Sequence, residues 1–277
     1  MMNRHLNIRT VKPVIVILLC AVLTVISVGC SGKKPQGSGT PAGSYNEHDL
    51  QRLSAFFEQE GANGVKNGNT AYGDRYSADD PSTWSEIEWT DTADGKRVMR
   101  ADLSGTEGDL DLSGCSELKA LICMGGLRTL DLSNCTSLNG VECSGNQLES
   151  IKLTGCSSLT ALRCDHNNLT ALDLSDCHAL TLLRCEYNKL ASLDLSGCAA
   201  IETLECNTNE LSALVLAGCS SLRELRCQAN QLAGLDLSSC TGLSTLVCYD
   251  NQLVTLDVSK CESAIGVNCD ESVEIIR

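Results

Sequence analysis

Cysteine has the widest chemistry of any residue in this chain, and it occupies 18 of 277 positions. Sixteen of the cysteines fall into two columns. One column holds Cys115, Cys135, Cys156, Cys177, Cys198, Cys219, Cys240 and Cys261; the other holds Cys123, Cys143, Cys164, Cys185, Cys206, Cys227, Cys248 and Cys269. Within each column the interval is 20 residues once and 21 residues six times. Thiols in such numbers could form a disulfide framework, hold zinc or do redox work. The spacing speaks against zinc. The columns alternate as C-x7-C, with no CxxC pair and no histidine beside the thiols in a tetrahedral pattern. Redox sensing needs exposed thiolates of low pKa, which a regular inward column does not supply. His5, His48, His166 and His178 are scattered, and no GxSxG, HExxH or phosphate-loop sequence occurs. These residues point away from an enzyme, a metal centre or a bound cofactor.

The elements that carry the cysteines are coils of one repeat. From Leu110 onward Leu-Asp-Leu-Ser-x-Cys recurs, and a full unit reads LxxLxCxxNxLxxLDLSxC, restarting at Leu138, Leu159, Leu180, Ile201, Leu222 and Leu243. In Leu162-Arg163-Cys164 the alternation places Leu162 and Cys164 on one face and Arg163 on the other, as a short strand requires. One coil cannot bury its leucine face alone, whereas stacked coils share a continuous core. Leu172-Asp173-Leu174 alternates in the same way and predicts a second short sheet, or an extended wall, opposite the first. No unit offers the roughly 10 residues of 3.6-period pattern that a helix needs.

The nested LxxLxCxxN and LxxLDLSxC segments resemble the leucine-rich-repeat family, with cysteine at the second leucine of LxLxxN. More narrowly, they are similar to the nested bacterial 21-residue class called IRREKO-like. The likeness runs over residues 97–277 and rests on consecutive units rather than on one motif. It implies a leucine-rich-repeat solenoid of the α/β horseshoe class, a right-handed coil that is mostly β with few helices, behind a small helical N-terminal cap. It also implies that the outward face of the first sheet is the usual place for a partner.

Each column then has a structural reading. Free cysteine behaves as a small buried hydrophobe, and stacked strands hold neighbouring Cβ atoms farther apart than disulfide geometry favours. Free core thiols are therefore expected, with disulfides as the alternative. Asn146, Asn167, Asn188, Asn209, Asn230 and Asn251 form a column whose amides are expected to satisfy backbone groups stranded by the tight turn. Asp111, Asp131, Asp173, Asp194, Asp236 and Asp257, each two residues before a serine, are expected to cap local turns. Calcium needs six to eight converging oxygens, which one carboxylate per coil does not provide.

Ahead of the repeats, residues 1–29 resemble a bacterial lipoprotein signal. Arg4, Arg9 and Lys12 precede an apolar run at 14–28, too short for a spanning helix, which ends in Val28-Gly29-Cys30. The resemblance implies that Cys30 is acylated and becomes the N-terminus of a chain anchored to a bacterial envelope membrane, facing away from the cytoplasm. Ser27 departs from the aliphatic residue usual in that motif. Residues 30–44 read as a flexible Gly/Ser/Pro tether, and residues 45–96 as an N-terminal cap region. Asn46 is placed to cap a helix that carries Leu50, Leu53 and Phe57 on one face and ends at Gly61. The domain over 97–277 holds the repeats with their terminal caps.

The surface decides the functional reading. The formal charge is -14, and removing the three cations ahead of Cys30 leaves -17. That excess of acid argues against nucleic acid as a partner. The outward residues of the first strand and its turn vary from coil to coil: Glu142, Arg163, Asp165, His166, Arg184, Glu186, Tyr187, Glu205, Arg226 and Tyr249, with Asn207 and Gln228 among them. They place His166 beside Tyr187 and Arg163 beside Arg184. Arginine and tyrosine are frequent interface anchors. The expectation is a monomeric, non-catalytic cell-surface protein that binds a protein partner through this face. A glycan or other envelope polymer is the alternative ligand, and a passive spacer the alternative role. Charge reversal at Arg163 and Arg184 is the sequence-level test between binder and spacer.

Overall fold

The computed structural model describes residues 44–261 and 266–277, which lie within the larger of two compact units, Gly39–Arg277. The signal segment, Cys30 and nearly all of the tether lie outside the described residues. The first half of each coil supplies a three-residue strand whose middle leucine or valine points inward. Ten strands form one sheet in the order β1-β2-β4-β6-β8-β9-β11-β13-β14-β16. They are β1 (Ile87–Thr92), β2 (Gly95–Asp102), β4 (Ala120–Ile122), β6 (Gly140–Glu142), β8 (Ala161–Arg163), β9 (Leu182–Arg184), β11 (Thr203–Glu205), β13 (Glu224–Arg226), β14 (Thr245–Val247) and β16 (Gly266–Asn268). β1 and β2 are antiparallel, and every later pair is parallel with no register shift. The expected alternation is visible in β8, β9, β11 and β13, where the central leucine is buried and its neighbours are half-buried.

The second half of the coil forms the opposite wall in three patches. β3 (Glu107–Asp111), β5 (Gly126–Asp131) and β7 (Ser150–Lys152) pair, as do β10 (Ser192–Asp194) with β12 (Ala213–Val215) and β15 (Thr255–Asp257) with β17 (Glu274–Ile276). Residues 171–173 and 234–236 form no paired strand, so the wall is part sheet and part irregular chain. The result is a solenoid of about eight turns. No helix occurs among the described residues of the repeats.

Between the two walls lies one continuous core of leucine, cysteine and occasional valine or isoleucine, and fourteen of the sixteen repeat cysteines are fully buried in it. Each fully buried leucine contributes about 1.5–3 kcal/mol before entropy is counted. Asparagine closes the turns. Asn167 donates through Nδ2 to Cys143 O and Cys164 O, both at 3.0 Å, while its Oδ1 accepts from Leu148 N at 2.9 Å. The same bonds recur at Asn146, Asn188, Asn209, Asn230 and Asn251. On the other wall each aspartate of the Asp-x-Ser motif accepts from the serine amide, for example Ser196 N to Asp194 Oδ1 at 2.8 Å. Both amide and carboxylate columns thus serve the backbone.

The cap begins with α1 (Glu47–Phe57), whose N-cap Asn46 accepts from Asp49 N. The helix stops at Phe57, short of the expected Gly61. Gln59 N bonds to Phe56 O there, and the Glu58 side chain is drawn off to Lys66 and Tyr76. The buried face is Leu53, Phe56 and Phe57 together with Asp49, while Leu50 is only half-buried. α2 (Asn67–Tyr72) brings Tyr72 onto Phe57, and Trp84 meets the same ring edge-on at 4.9 Å. This aromatic cluster continues the core of the first coil. The β1/β2 hairpin straddles position 96, and β2 pairs directly with β4, so the hairpin is common to cap and repeats.

Candidate binding surface

The outward face of the ten-stranded sheet is built by register. The parallel pairing puts Glu142, Arg163, Arg184, Glu205, Arg226 and Val247 side by side in one row. Strand spacing of about 4.8 Å lets neighbours in such a row interact. Arg184 Nη2 meets Glu205 Oε1 at 3.0 Å, Arg226 Nε meets Glu224 Oε1 at 2.7 Å, and Arg163 Nη1 stands 3.8 Å from Glu142 Oε2. All three arginines are therefore answered by acids of the same face.

A second row follows the cysteines: Ser144, Asp165, Glu186, Asn207, Gln228 and Tyr249. The Ser144 hydroxyl lies 2.5 Å from Glu142 Oε1 and 2.6 Å from Asp165 Oδ1, and with one proton it donates to one carboxylate at a time. Asp165 Oδ2 lies 2.9 Å from His166 Nδ1. Burial pushes the Glu186 carboxyl up to about 7, helped by the charges of Asp165 and Glu205 and opposed by a backbone hydrogen bond and by Arg184. Among the described residues, Glu186 Oε2 and Gln228 Oε1 are buried acceptors without a donor, and Arg184 Nε is a buried donor without an acceptor.

The turn after this row is left-handed. His166, Tyr187, Thr208, Ala229 and Asp250 have φ between 53° and 55°, where Gly145 sits at 65° in an earlier coil. For a residue with a side chain this conformation costs ~1 kcal/mol or more. His166 and Tyr187 stack there, with ring centroids 4.3 Å apart and planes 22° from parallel. Tyr187 is 49% exposed.

The sequence-derived surface residues thus separate into groups. Asp165, His166, Glu186 and Tyr187 form one patch with Arg163, Arg184 and Glu205 along its edge. Arg226 lies two strands from Arg184, and Tyr249 lies at the far end and joins none of these contacts. Glu142 is a correction. Alternation assigns it outward, but it is 3% exposed, because Ser144 and the Arg163 side chain cover it. The sequence marks this left-handed turn only weakly, through Gly145, His166 and Asp250, types that favour positive φ.

The thiols show no sign of catalytic activation. All sixteen repeat cysteines are free. Cys135 Sγ and Cys156 Sγ donate to carbonyls of the preceding coil, Leu112 O and Leu132 O, each at 3.1 Å. Burial pushes these thiols up, Cys135 to about 12 and Cys156 to about 11. Cys115 has no preceding coil and meets the Asp49 carboxylate of the cap instead. Sequence reasoning missed Asp49, which is 0% exposed, accepts from Val98 N at 2.9 Å and pairs with Arg97 at 3.0 Å. His48, Asp49 and Cys115 lie within 4.8 Å of one another, the one such group among the described residues. Arg97 already supplies the cation there, and His48 Nε2 is held 2.8 Å from Ser113 O. The group is a latch between cap and first coil.

Comparison with solved structures agrees with this coil geometry. The chain is similar to internalin C2 from Listeria monocytogenes, at 16% identity over 84% of this chain and 100% of that one, with a TM-score of 0.53. The fold is a leucine-rich-repeat solenoid. Drosophila Toll, solved in complex with Spatzle, matches at 17% identity over 64% of this chain and 32% of that one, with a TM-score of 0.52. The functional domain of InlJ from Listeria monocytogenes, which includes a cysteine ladder, is 22% identical over 67% of this chain, with a TM-score of 0.31. This chain spans 56% of that domain's length. At these identities the likeness extends to the fold alone. No family model and no curated protein matches the sequence.

Proposed function

We propose that this protein is a non-catalytic binding protein of the bacterial envelope, held by a lipid on Cys30, which engages a protein partner through the outward face of its ten-stranded sheet. One observation carries the reading. Inward positions repeat almost without change, while the outward rows differ from coil to coil and include a half-exposed tyrosine held in a costly backbone conformation. Leucine-rich-repeat folds are typically protein-interaction scaffolds, and Toll is an example solved with a protein ligand. The lipid anchor rests on the signal-like residues ending at Cys30.

Charge reversal at Arg163 and Arg184 is a poor test of this reading. The Arg163 side chain is only 15% exposed and lies against Glu142, so reversal would bury two like charges and unfold the coil. Truncation of the exposed residues Tyr187→Ser and Arg226→Ala leaves the scaffold intact. Residues 31–277 should retain a protein from envelope or host extracts that the double variant does not retain. Retention of only carbohydrate would favour the glycan alternative, and retention of nothing would favour a spacer. Metabolic labelling with a fatty acid should mark the full chain and fail on Cys30→Ala; labelling of that variant would refute the anchor.

A further inference from the structure

The sheet face has a chemical bias at its centre. Its arginines are occupied: Arg163 by Glu142, Arg184 by Glu205 and Arg226 by Glu224. Asp165 and Glu186, on adjacent coils, have no arginine partner among the contacts of the described residues. Asp165 is bonded to Ser144 and His166, but Glu186 Oε2 receives no hydrogen bond, and neither does Gln228 Oε1 farther along the same row. Next in sequence to Asp165 and Glu186, the His166 and Tyr187 rings stack, and Tyr187 is the only aromatic among the exposed large apolar side chains of the described residues. Carboxylates next to an open aromatic face suit a planar cation. A guanidinium can lie on the ring and direct its N–H fork at the carboxylate, whereas an ammonium matches only the charge.

We propose that the His166/Tyr187 stack and the Asp165 and Glu186 carboxylates form a seat for an arginine side chain of a basic protein partner. This rests on the sheet face being the binding surface, and it specifies what that partner presents. The formal charge of -14 favours such a partner by long-range attraction. A cation bound here meets Glu186 as a carboxylate, so binding releases the proton that burial holds on it near neutrality. The charged groups facing Glu186 are Asp165 and Glu205, which favour its protonated form, and Arg184, which opposes them. Affinity therefore rises with pH up to about 7 and levels off above it.

The test is titration of the purified full chain with acetylated pentapeptides carrying a central arginine, lysine or citrulline between glycines. The arginine peptide should bind at pH 8, the lysine peptide more weakly and the citrulline peptide not at all. Glu186→Gln should lose about tenfold in affinity, and Tyr187→Ser a comparable factor. Asp236→Asn, which removes the same charge from the opposite wall, should change it less than twofold. Lowering the pH from 8 to 6 should weaken binding to the wild type by more than it weakens binding to Glu186→Gln. Equal effects of Glu186→Gln and Asp236→Asn, or equal binding of arginine and citrulline peptides, would overturn the seat. The two readings fail separately. A protein lost by Tyr187→Ser, Arg226→Ala but retained by Glu186→Gln keeps the face and removes the seat. Arginine peptides that need Glu186, with a natural partner indifferent to every face variant, keep the seat and remove the face.

Discussion

Replacing Asn188 by alanine tests the physical account of the scaffold most directly. Asn188 Nδ2 donates to Cys164 O at 3.0 Å and Cys185 O at 3.1 Å, and its Oδ1 accepts from Leu169 N at 3.0 Å. The losses are unequal. Cys164 O keeps the bond from Asn167, and Cys185 O keeps the bond from Asn209. Leu169 N–H, by contrast, loses its acceptor in a buried site. An orphaned buried donor costs about 1–3 kcal/mol and each lost amide bond about 1 kcal/mol, so Asn188→Ala should destabilise by roughly 3–5 kcal/mol. Asn251 makes the same bonds near the end of the array but is half-buried, so water can replace them. Asn251→Ala should therefore cost no more than about half as much. Guanidinium unfolding followed by circular dichroism gives both values, and hydrogen exchange at the Leu169 amide reports the local loss. A change below about 0.5 kcal/mol at Asn188, or equal changes at the two sites, would refute the reasoning.

The remaining expectations concern thiols, the cap latch and pH. Alkylation of unfolded but unreduced protein should label all sixteen repeat cysteines, and brief alkylation of the native protein only Cys261 and Cys269, the two that are not fully buried. Unlabelled cysteines in the first experiment would mean disulfides. Arg97→Ala leaves the Asp49 carboxylate unpaired and out of water and should lower stability by about 3–5 kcal/mol. Asp49→Asn should cost less, because Arg97 is 16% exposed and can turn to solvent; calorimetric melting of both variants checks the order. For Glu186 the sign is that of a raised acid. The folded carboxyl near 7 keeps a proton that the unfolded chain releases near 4.5, so stability falls as pH rises through that interval and levels off above it. Glu186→Gln should match the wild-type Tm near pH 4 and exceed it above pH 7, and parallel Tm curves would contradict the burial of this carboxyl.

Much of this molecule is legible because neighbouring coils enforce the same rule. The Leu162-Arg163-Cys164 alternation, the asparagine column and the Asp-x-Ser turns each depend on residues close in sequence, and all three are present as read. What escaped depends on contacts between elements. Asp49 lies on a helix whose sequence pattern marks only its apolar residues as buried, and its partners Arg97 and Val98 come from the hairpin. Glu142 follows the alternation, but its cover comes from Arg163 one coil later and from Ser144 beyond the cysteine. Residues 171–173 read Ala-Leu-Asp and residues 192–194 Ser-Leu-Asp, yet only the second set pairs. Pairing is a relation between two coils, which the sequence of a single coil does not encode. The left-handed turn is hidden because Tyr187, Thr208 and Ala229 are residues that local preference would not put there.

Besides a bond within its own coil, each asparagine of the column joins its coil to the coil before it, at sequence separations of 19 and, past the first short unit, 24 residues. A whole 21-residue unit can therefore be added or removed between others with every such bond re-formed, while a partial unit breaks them. The array behaves as a ruler graduated in strand spacings. Deleting one coil between the cap and β8 would move the His166/Tyr187 stack about 4.8 Å towards the cap without altering its chemistry. The distance of the patch from the cap and the identity of its residues are thus separately adjustable, the first by duplication of coils and the second by point substitution.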